Sequence, residues 1–374
     1  MREKLKKSVS VTSLIGFSVF LLYLLFFSNV GSIVGIMEKT SIPVYMLAFI
    51  CVLFGTVFDA LTWRQILGRL SVKTTFRRAF TLSWVGIFVD AIVPGGWSGD
   101  ILKAYLLSKD RGVDGSKAAA SIVVKKVFEL LVTLAALVVG MFLLISNYSL
   151  DNDLVIVIGV MMVLMSLPLV LILYLSLSAK TSQTVFGLVR RFSNLIRGKS
   201  VDTPEMENRL RHSIGEFHDG IMTMKTNPQK MFQPMILQAV SWMFGILTLF
   251  LIFASIGYII NPEKIIIANS ITSNLQTQGF ALAGFLPLLS SVLYRMLGTA
   301  ALVSAASSLL ATFPTFWFRV IISFVAFQAI VFNTGIPLIR SNPKNINAES
   351  KRGLLDVLKI RKQSDAPEKD GRIN

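Results

Sequence analysis

Long apolar runs separated by short polar connectors occupy most of this chain. A helix needs about 20 predominantly apolar residues to cross a bilayer. Apolar stretches at residues 9–30, 43–63, 118–146, 154–179, 231–260 and 314–339 reach that length and predict six full spans. Two regions break the pattern. Residues 80–93 are apolar over only fourteen positions, and Pro94-Gly95-Gly96 and a short helix-like run at residues 100–107 follow. Residues 265–271 are apolar, 272–279 polar and uncharged, and 281–293 apolar again, with a short helix near residues 300–312 after them. Irregular backbone at membrane depth is tolerated only where protein or a watery cavity satisfies its polar groups. Each broken region therefore reads as a re-entrant hairpin; two short spans packed together are the alternative for the first. The expected fold class is an all-α polytopic membrane protein of about six full spans plus two re-entrant hairpins, or eight spans if the hairpins are counted.

Composition and charge add an orientation. The 374 residues are 53% hydrophobic and 16% charged, with a mean hydropathy of +0.65. A soluble domain carries about 25% charged residues. The net charge of +16 sits between spans and in the tails, where cytoplasmic loops concentrate Lys and Arg. It is not a reason to expect nucleic acid. Arg2, Lys4, Lys6 and Lys7 precede the first span, and Arg64, Arg69, Lys73, Arg77 and Arg78 follow the second. Both positions are thus expected in the cytoplasm, two spans apart. The first apolar run is too long for a signal-peptide core and reads as a retained span. On this scheme the first hairpin enters from the cytoplasm and the second from outside. Residues 43–146 and 231–340 then form inverted halves of one transmembrane domain, residues 1–340, an architecture on which transporters build midplane sites. A polar tail, residues 341–374, ends the chain in the cytoplasm of a multi-pass cell-membrane protein.

The insertion at residues 180–230 is basic and amphipathic, with Val185, Leu188, Val189, Phe192 and Ile196 on one helical face. Such helices either lie on the anionic inner leaflet or pack on one another. The insertion is too short for a catalytic domain of about 100 residues. Cys51, the one cysteine in the sequence, permits no intrachain disulfide. His212 and His218 lack metal-ligand spacing, so neither a metal nor another cofactor is expected. Membrane lipids are the expected partners, and a homo-oligomer is compatible with this layout.

Candidate chemistry concentrates at residues 90–103. Pro94 stops the preceding helix, and Gly95, Gly96 and Gly99 permit positive φ or close approach of another backbone or a ligand. Ser98 is a candidate N-cap with Asp100 in the first turn, which leaves N–H groups at a positive dipole end, an anion site. Lys103 is the local partner for Asp100. The plainer reading is a glycine-rich break for tight packing, supported by an ion pair. In the next span Lys125 and Lys126 lie four and three residues before Glu129. They either pair with it, about 10 Å into the span, or snorkel to the interface. A phosphate held by Lys103, Lys126 and the helix start is the sharper expectation. In the second half Asn274, Gln276, Thr277, Gln278 and Gly279 are cavity-lining candidates, with Arg295 and Arg319 nearby. Arg319 also reads as an outer-interface anchor, and Asp59 and Arg64 as a structural neighbourhood. The chain shows no nucleophile–base pair, phosphate-binding loop or paired-carboxylate signature.

The run Pro94-Gly95-Gly96-Trp97-Ser98-Gly99-Asp100-Ile101-Leu102-Lys103 resembles a motif of the flippase-like membrane family related to the transmembrane region of lysylphosphatidylglycerol synthases. Residues 118–129, an alanine-rich helix start ending in Lys126 and Glu129, are similar to that family's helix with a basic residue and, three on, an acid. Residues 305–312 with Phe316-Trp317 are similar to its second-half helix, although Thr312 stands where arginine is common. The resemblance covers about residues 63–339. It implies a protein that moves a charged phospholipid or lipid-linked intermediate between leaflets, without the aminoacyl-transferring domain of bifunctional members. The alternatives are a membrane enzyme or enzyme subunit acting on a lipid-linked substrate, and a non-catalytic assembly partner.

Overall fold

A computed structural model describes residues 35–92, 98–110, 112–147, 228–277 and 285–334, with isolated helical positions between 156 and 170. The described residues form helices and connecting turns, without a strand. In chain order they are α1 (Ile42–Arg69), α2 (Phe76–Ile92), α3 (Ser98–Leu107), α4 (Gly115–Asn147), α5 (Pro228–Ser255), α6 (Pro262–Thr277), α7 (Phe285–Met296), α8 (Ala301–Thr312), a π-helical turn (Phe313–Trp317) and α9 (Phe318–Thr334). The span expected at residues 9–30, most of that at 154–179, the insertion up to residue 227 and the tail lie outside the described residues.

This is an all-α polytopic membrane protein. Helices Ile42–Arg69, Gly115–Ser146, Met231–Ser255 and Ala301–Ile330 are long and apolar enough to cross a bilayer. The arms of the two broken regions are shorter. At about 1.5 Å per residue, α2 and α3 measure about 25 and 15 Å, and α6 and α7 about 24 and 18 Å, against a hydrocarbon core of about 30 Å. The arms of each pair pack on one another. Several ends are local and sequence-encoded. After α1, Ser71 takes φ 60°, its N–H reaches Gly68 O, and Val72 N–H reaches Leu67 O at 2.9 Å. Gly257 and Gly298 close α5 and α7 in the same way, satisfying carbonyls that a helix end leaves unpaired.

Helix α1 has its most extensive contact with α5. Phe244 stacks on Phe54 and Phe58, with ring centroids 5.6 and 5.4 Å away, and the Ser241 hydroxyl donates to Gly55 O at 2.9 Å. Helix α6 lies on α4, where Leu137, Met141 and Leu144 meet Ile267, Ala268 and Ile271 in one apolar cluster. Packing separates a main unit ending at Ala326 from a remainder beginning at Phe327, of which the last turns of α9 are described.

Two sequence expectations change. The polar run 272–277 is not a loop: α6 continues through it to Thr277. Thr272 and Ser273 donate their hydroxyls to Ala268 O and Asn269 O, at 2.9 and 2.6 Å, so the helix satisfies polar side chains that looked like loop residues. Nor are the helix near 300–312 and the last span separate. They form one rod from Ala301, joined by the π turn. Pro314 has no N–H for the carbonyl four residues back and its ring would clash there. The wider π turn admits the ring, and Leu310 O accepts from Phe313 N–H and from the Tyr45 hydroxyl, the latter at 2.8 Å.

Candidate functional site

Two antiparallel registers build the site. On α1, Asp59 and Trp63 are four residues apart and share a face; on α4, Ser121 and Lys125 do the same. Trp63 Nε1 donates to Ser121 Oγ at 2.9 Å, and Lys125 Nζ reaches Asp59 Oδ1 at 2.7 Å. Between the hairpin arms, Lys103 lays its stem on Gly86, and Gly99 sits opposite Asp90. A Cβ at Gly86 would fall 2.9 Å from Lys103 Cδ, and one at Gly99 would fall 2.1 Å from Gly86 O. The arms can close this far because both positions are glycine.

Closure brings six charges into one network. Asp100 bonds Lys103 at 2.5 Å and Lys126 at 3.1 Å; Lys126 also bonds Glu129 at 3.1 Å; Lys125 joins Asp59 to Glu129. Three lysines therefore face three carboxylates. The Lys125 side chain is 5% exposed, and Asp100 and Lys103 are 7% exposed. The Lys103 ammonium also stands 5.5 Å from the Trp63 ring centroid, a favourable cation–π placement. Depth follows from the helices. Asp59 is ten residues from the Arg69 end of α1, and Lys125 ten residues from the Gly115 start of α4; each is about 15 Å along its helix. Helix α4 begins three residues before the expected 118, which carries the lysines deeper. They turn inward to acids rather than snorkelling.

The start of α3 is also occupied. Gly99 N–H and the Ser98 hydroxyl both donate to Asp90 Oδ1, at 2.7 and 2.8 Å. The helix-start donor expected to meet an anion is thus taken by the chain's own carboxylate. Gly99 serves close approach, since the positive-φ glycines among the described residues are Gly112, Gly257 and Gly298. Asp59 pairs with Lys125 rather than Arg64, whose Nε donates to Thr74 O at 3.4 Å. Pro94, Gly95, Gly96, Gln278 and Gly279 lie outside the described residues. Ser98, Gly99, Asp100, Lys103, Lys126 and Glu129 come together. Gln276 does not join them: it is exposed on the last turn of α6, as Arg295 is on that of α7.

Sequence reasoning gave no role to Asp90 and misplaced Arg319. Arg319 lies eighteen residues into the rod from Ala301, about 27 Å along it, and so far from either end. It is half-buried, and its Nε is buried without a hydrogen-bond partner. Phe324 meets Phe88 of α2 at 5.6 Å, which brings the rod beside the hairpin arm carrying Asp90. The Asp59–Trp63 and Ser121–Lys125 spacings were visible in the sequence; the crossing from Arg319 to the hairpin was not. Among the described residues no group of His, Cys, Asp and Glu is arranged to hold a metal ion.

Comparison with known proteins adds a family. The profile described as lysylphosphatidylglycerol synthase TM region matches residues 13–323. The chain is 25% identical over 252 residues to a UPF0104 membrane protein of Methanothermobacter thermautotrophicus, covering 66% of this chain and 71% of that protein. A UPF0104 membrane protein of Methanocaldococcus jannaschii is 24% identical, over 70% of this chain and 76% of its own length. One of Pyrococcus horikoshii is 19% identical, over 63% and 71%.

Proposed function

The chain belongs to the lysylphosphatidylglycerol synthase transmembrane-region family, and from that premise we propose that it is a lipid translocase, moving a charged phospholipid or lipid-linked intermediate between leaflets. The observation that carries this reading is the buried network of Asp59, Asp100, Lys103, Lys125, Lys126 and Glu129, with Asp59 and Lys125 about 15 Å along their helices. Isolated charges at membrane depth cost about 2.5–3.5 kcal/mol each on insertion scales, and ionisable residues there mark substrate or ion pathways. The headgroup moves through a polar cavity between inverted halves, with Asp100, Lys103, Lys126 and Glu129 at its wall. Because each lysine already has an acid, a phosphate engages the network by exchanging with a carboxylate rather than by filling an empty cradle.

By the positive-inside rule the basic end shared by α1 and α2 faces the cytoplasm, as do both termini, in the cell membrane. One observation favours a second reading: the network is charge-balanced within itself, which suits a scaffold that braces a partner. Reconstitution separates the readings. Full-length protein in vesicles is given labelled phospholipids or polyprenyl-phosphate sugars, and both leaflet position and lipid chemistry are followed. Exchange without chemical change is expected. A modified lipid would reveal an enzyme, and neither change a scaffold.

A further inference from the structure

Among the charges of the network, Glu129 is the acid that can leave most cheaply. Its two oxygens are divided between consecutive lysines, Oε1 to Lys125 and Oε2 to Lys126, the latter at 3.1 Å. Each of those lysines has a second acid from another helix: Asp59 of α1 for Lys125 at 2.7 Å, and Asp100 of α3 for Lys126 at 3.1 Å. Withdrawing Glu129 therefore leaves both ammoniums paired. Asp100 also bridges two lysines, but it is the acid that Lys103 bonds. Exposure separates the two bridging acids further. The Asp100 side chain is 7% exposed and that of Glu129 19%, against 5% and 8% for Lys125 and Lys126. The acid at the accessible edge is the one held by two deeply buried lysines.

A phosphodiester presents two anionic non-bridging oxygens, and charge-assisted bonds from two ammoniums suit it as they suit a carboxylate. The charge count then fixes what becomes of Glu129. Lys103, Lys125 and Lys126 balance Asp59, Asp100 and Glu129, so an added phosphodiester monoanion leaves the buried site with an uncompensated negative charge. The groups around Glu129 do not absorb it. Its own helix supplies Lys125 and Lys126, both engaged by the ligand; α3 presents Asp100 with Lys103 behind it, and α1 presents Asp59. Helices α5 and α6, which also pack on α4, carry their ionisable residues in their first turns, Lys230, Glu263 and Lys264. A carboxylate displaced from its cations in a desolvated site favours its neutral form.

We propose that an anionic phosphodiester headgroup replaces Glu129 between Lys125 and Lys126 and that Glu129 leaves as the neutral acid, so that each anionic lipid binds together with one proton. The proton comes from solvent, forms the O–H bond of the Glu129 carboxyl, and is released when the headgroup departs and the carboxylate returns to the lysines. The proposal rests on the translocase reading, to which it adds a driving force: a proton gradient moves the anionic lipid.

Calorimetric titration of the purified full-length protein in micelles, in two buffers of different ionisation enthalpy, counts the protons taken up on binding. The probes are short-chain phosphatidylglycerol and glycerophosphoglycerol, its headgroup without acyl chains. Wild type takes up about one proton per phosphatidylglycerol, and its affinity falls about tenfold per unit rise in pH. Glu129→Gln is neutral from the start. It takes up no proton, its affinity does not change with pH, and at alkaline pH it binds more tightly than wild type, whereas a purely structural Glu129 would give weaker binding at every pH. Wild-type binding without proton uptake overturns the proposal and needs no variant. Proton uptake retained in folded Glu129→Gln also overturns it, as does failure of wild type to bind phosphatidylglycerol. Glycerophosphoglycerol bound as tightly as the lipid makes the ligand a free phosphodiester and overturns the lipid assignment. Leaflet exchange in vesicles by a protein that takes up no proton rejects this proposal and leaves translocation standing; proton-linked binding without exchange does the reverse.

Discussion

Lys125 and Arg319 show that two cations at membrane depth can have opposite energetic roles. Lys125 joins Asp59 to Glu129, so Lys125→Met strands Asp59 and leaves Glu129 with Lys126 alone. Breaking a buried pair by removing one partner costs about 3–5 kcal/mol, and denaturant unfolding of the purified chain in micelles should lose that much. Arg319→Gln strands nothing and should leave the same measurement unchanged or improved. Arg78 and Asp110 pair at 2.7 Å with 25% and 34% of their side chains exposed. At that exposure a pair contributes about 0–1 kcal/mol, so Arg78→Met should shift unfolding by less than about 1 kcal/mol. Tyr45→Phe removes one of two donors to Leu310 O, the other being Phe313 N–H. Losing that hydrogen bond should cost about 0.5–1.5 kcal/mol.

The hairpin formed by α2 and α3 depends on glycine at two positions of unequal tolerance. Gly99→Ala drives a Cβ onto Gly86 O, which is backbone and cannot step aside; Gly86→Ala meets the flexible methylenes of Lys103. Overpacking of the first kind costs about 1–3 kcal/mol, and the second should cost less. Equal losses in unfolding free energy would contradict the close approach of the arms. Both short-armed helix pairs were legible in the sequence because their apolar runs are too short to cross. The joint between α8 and α9 was not. Pro314 reads locally as a helix stop, whereas a π turn carries the rod past it and Tyr45, more than two hundred residues earlier, adds a donor to Leu310 O. Likewise Asp100–Lys103 could be read from i,i+3 spacing, while Asp59–Lys125 needed the register of α1 against α4. Arg319 was misplaced because its depth depends on that unbroken rod.

At the scale of the molecule, α6 lies on α4, and α2 meets the rod at Phe88 and Phe324. The central claim, that headgroups cross at the buried network, is tested most directly by removing one ion pair without unbalancing the rest. Asp100→Asn with Lys103→Met leaves Lys125 and Lys126 facing Asp59 and Glu129, and replacing both members of a buried pair is often tolerated. The measurement is the fraction of labelled phospholipid in reconstituted vesicles that a membrane-impermeant quencher can reach over time. Loss of exchange by at least tenfold, with an unfolding temperature within a few degrees of wild type, is the predicted result. Wild-type exchange in the folded double variant would contradict it.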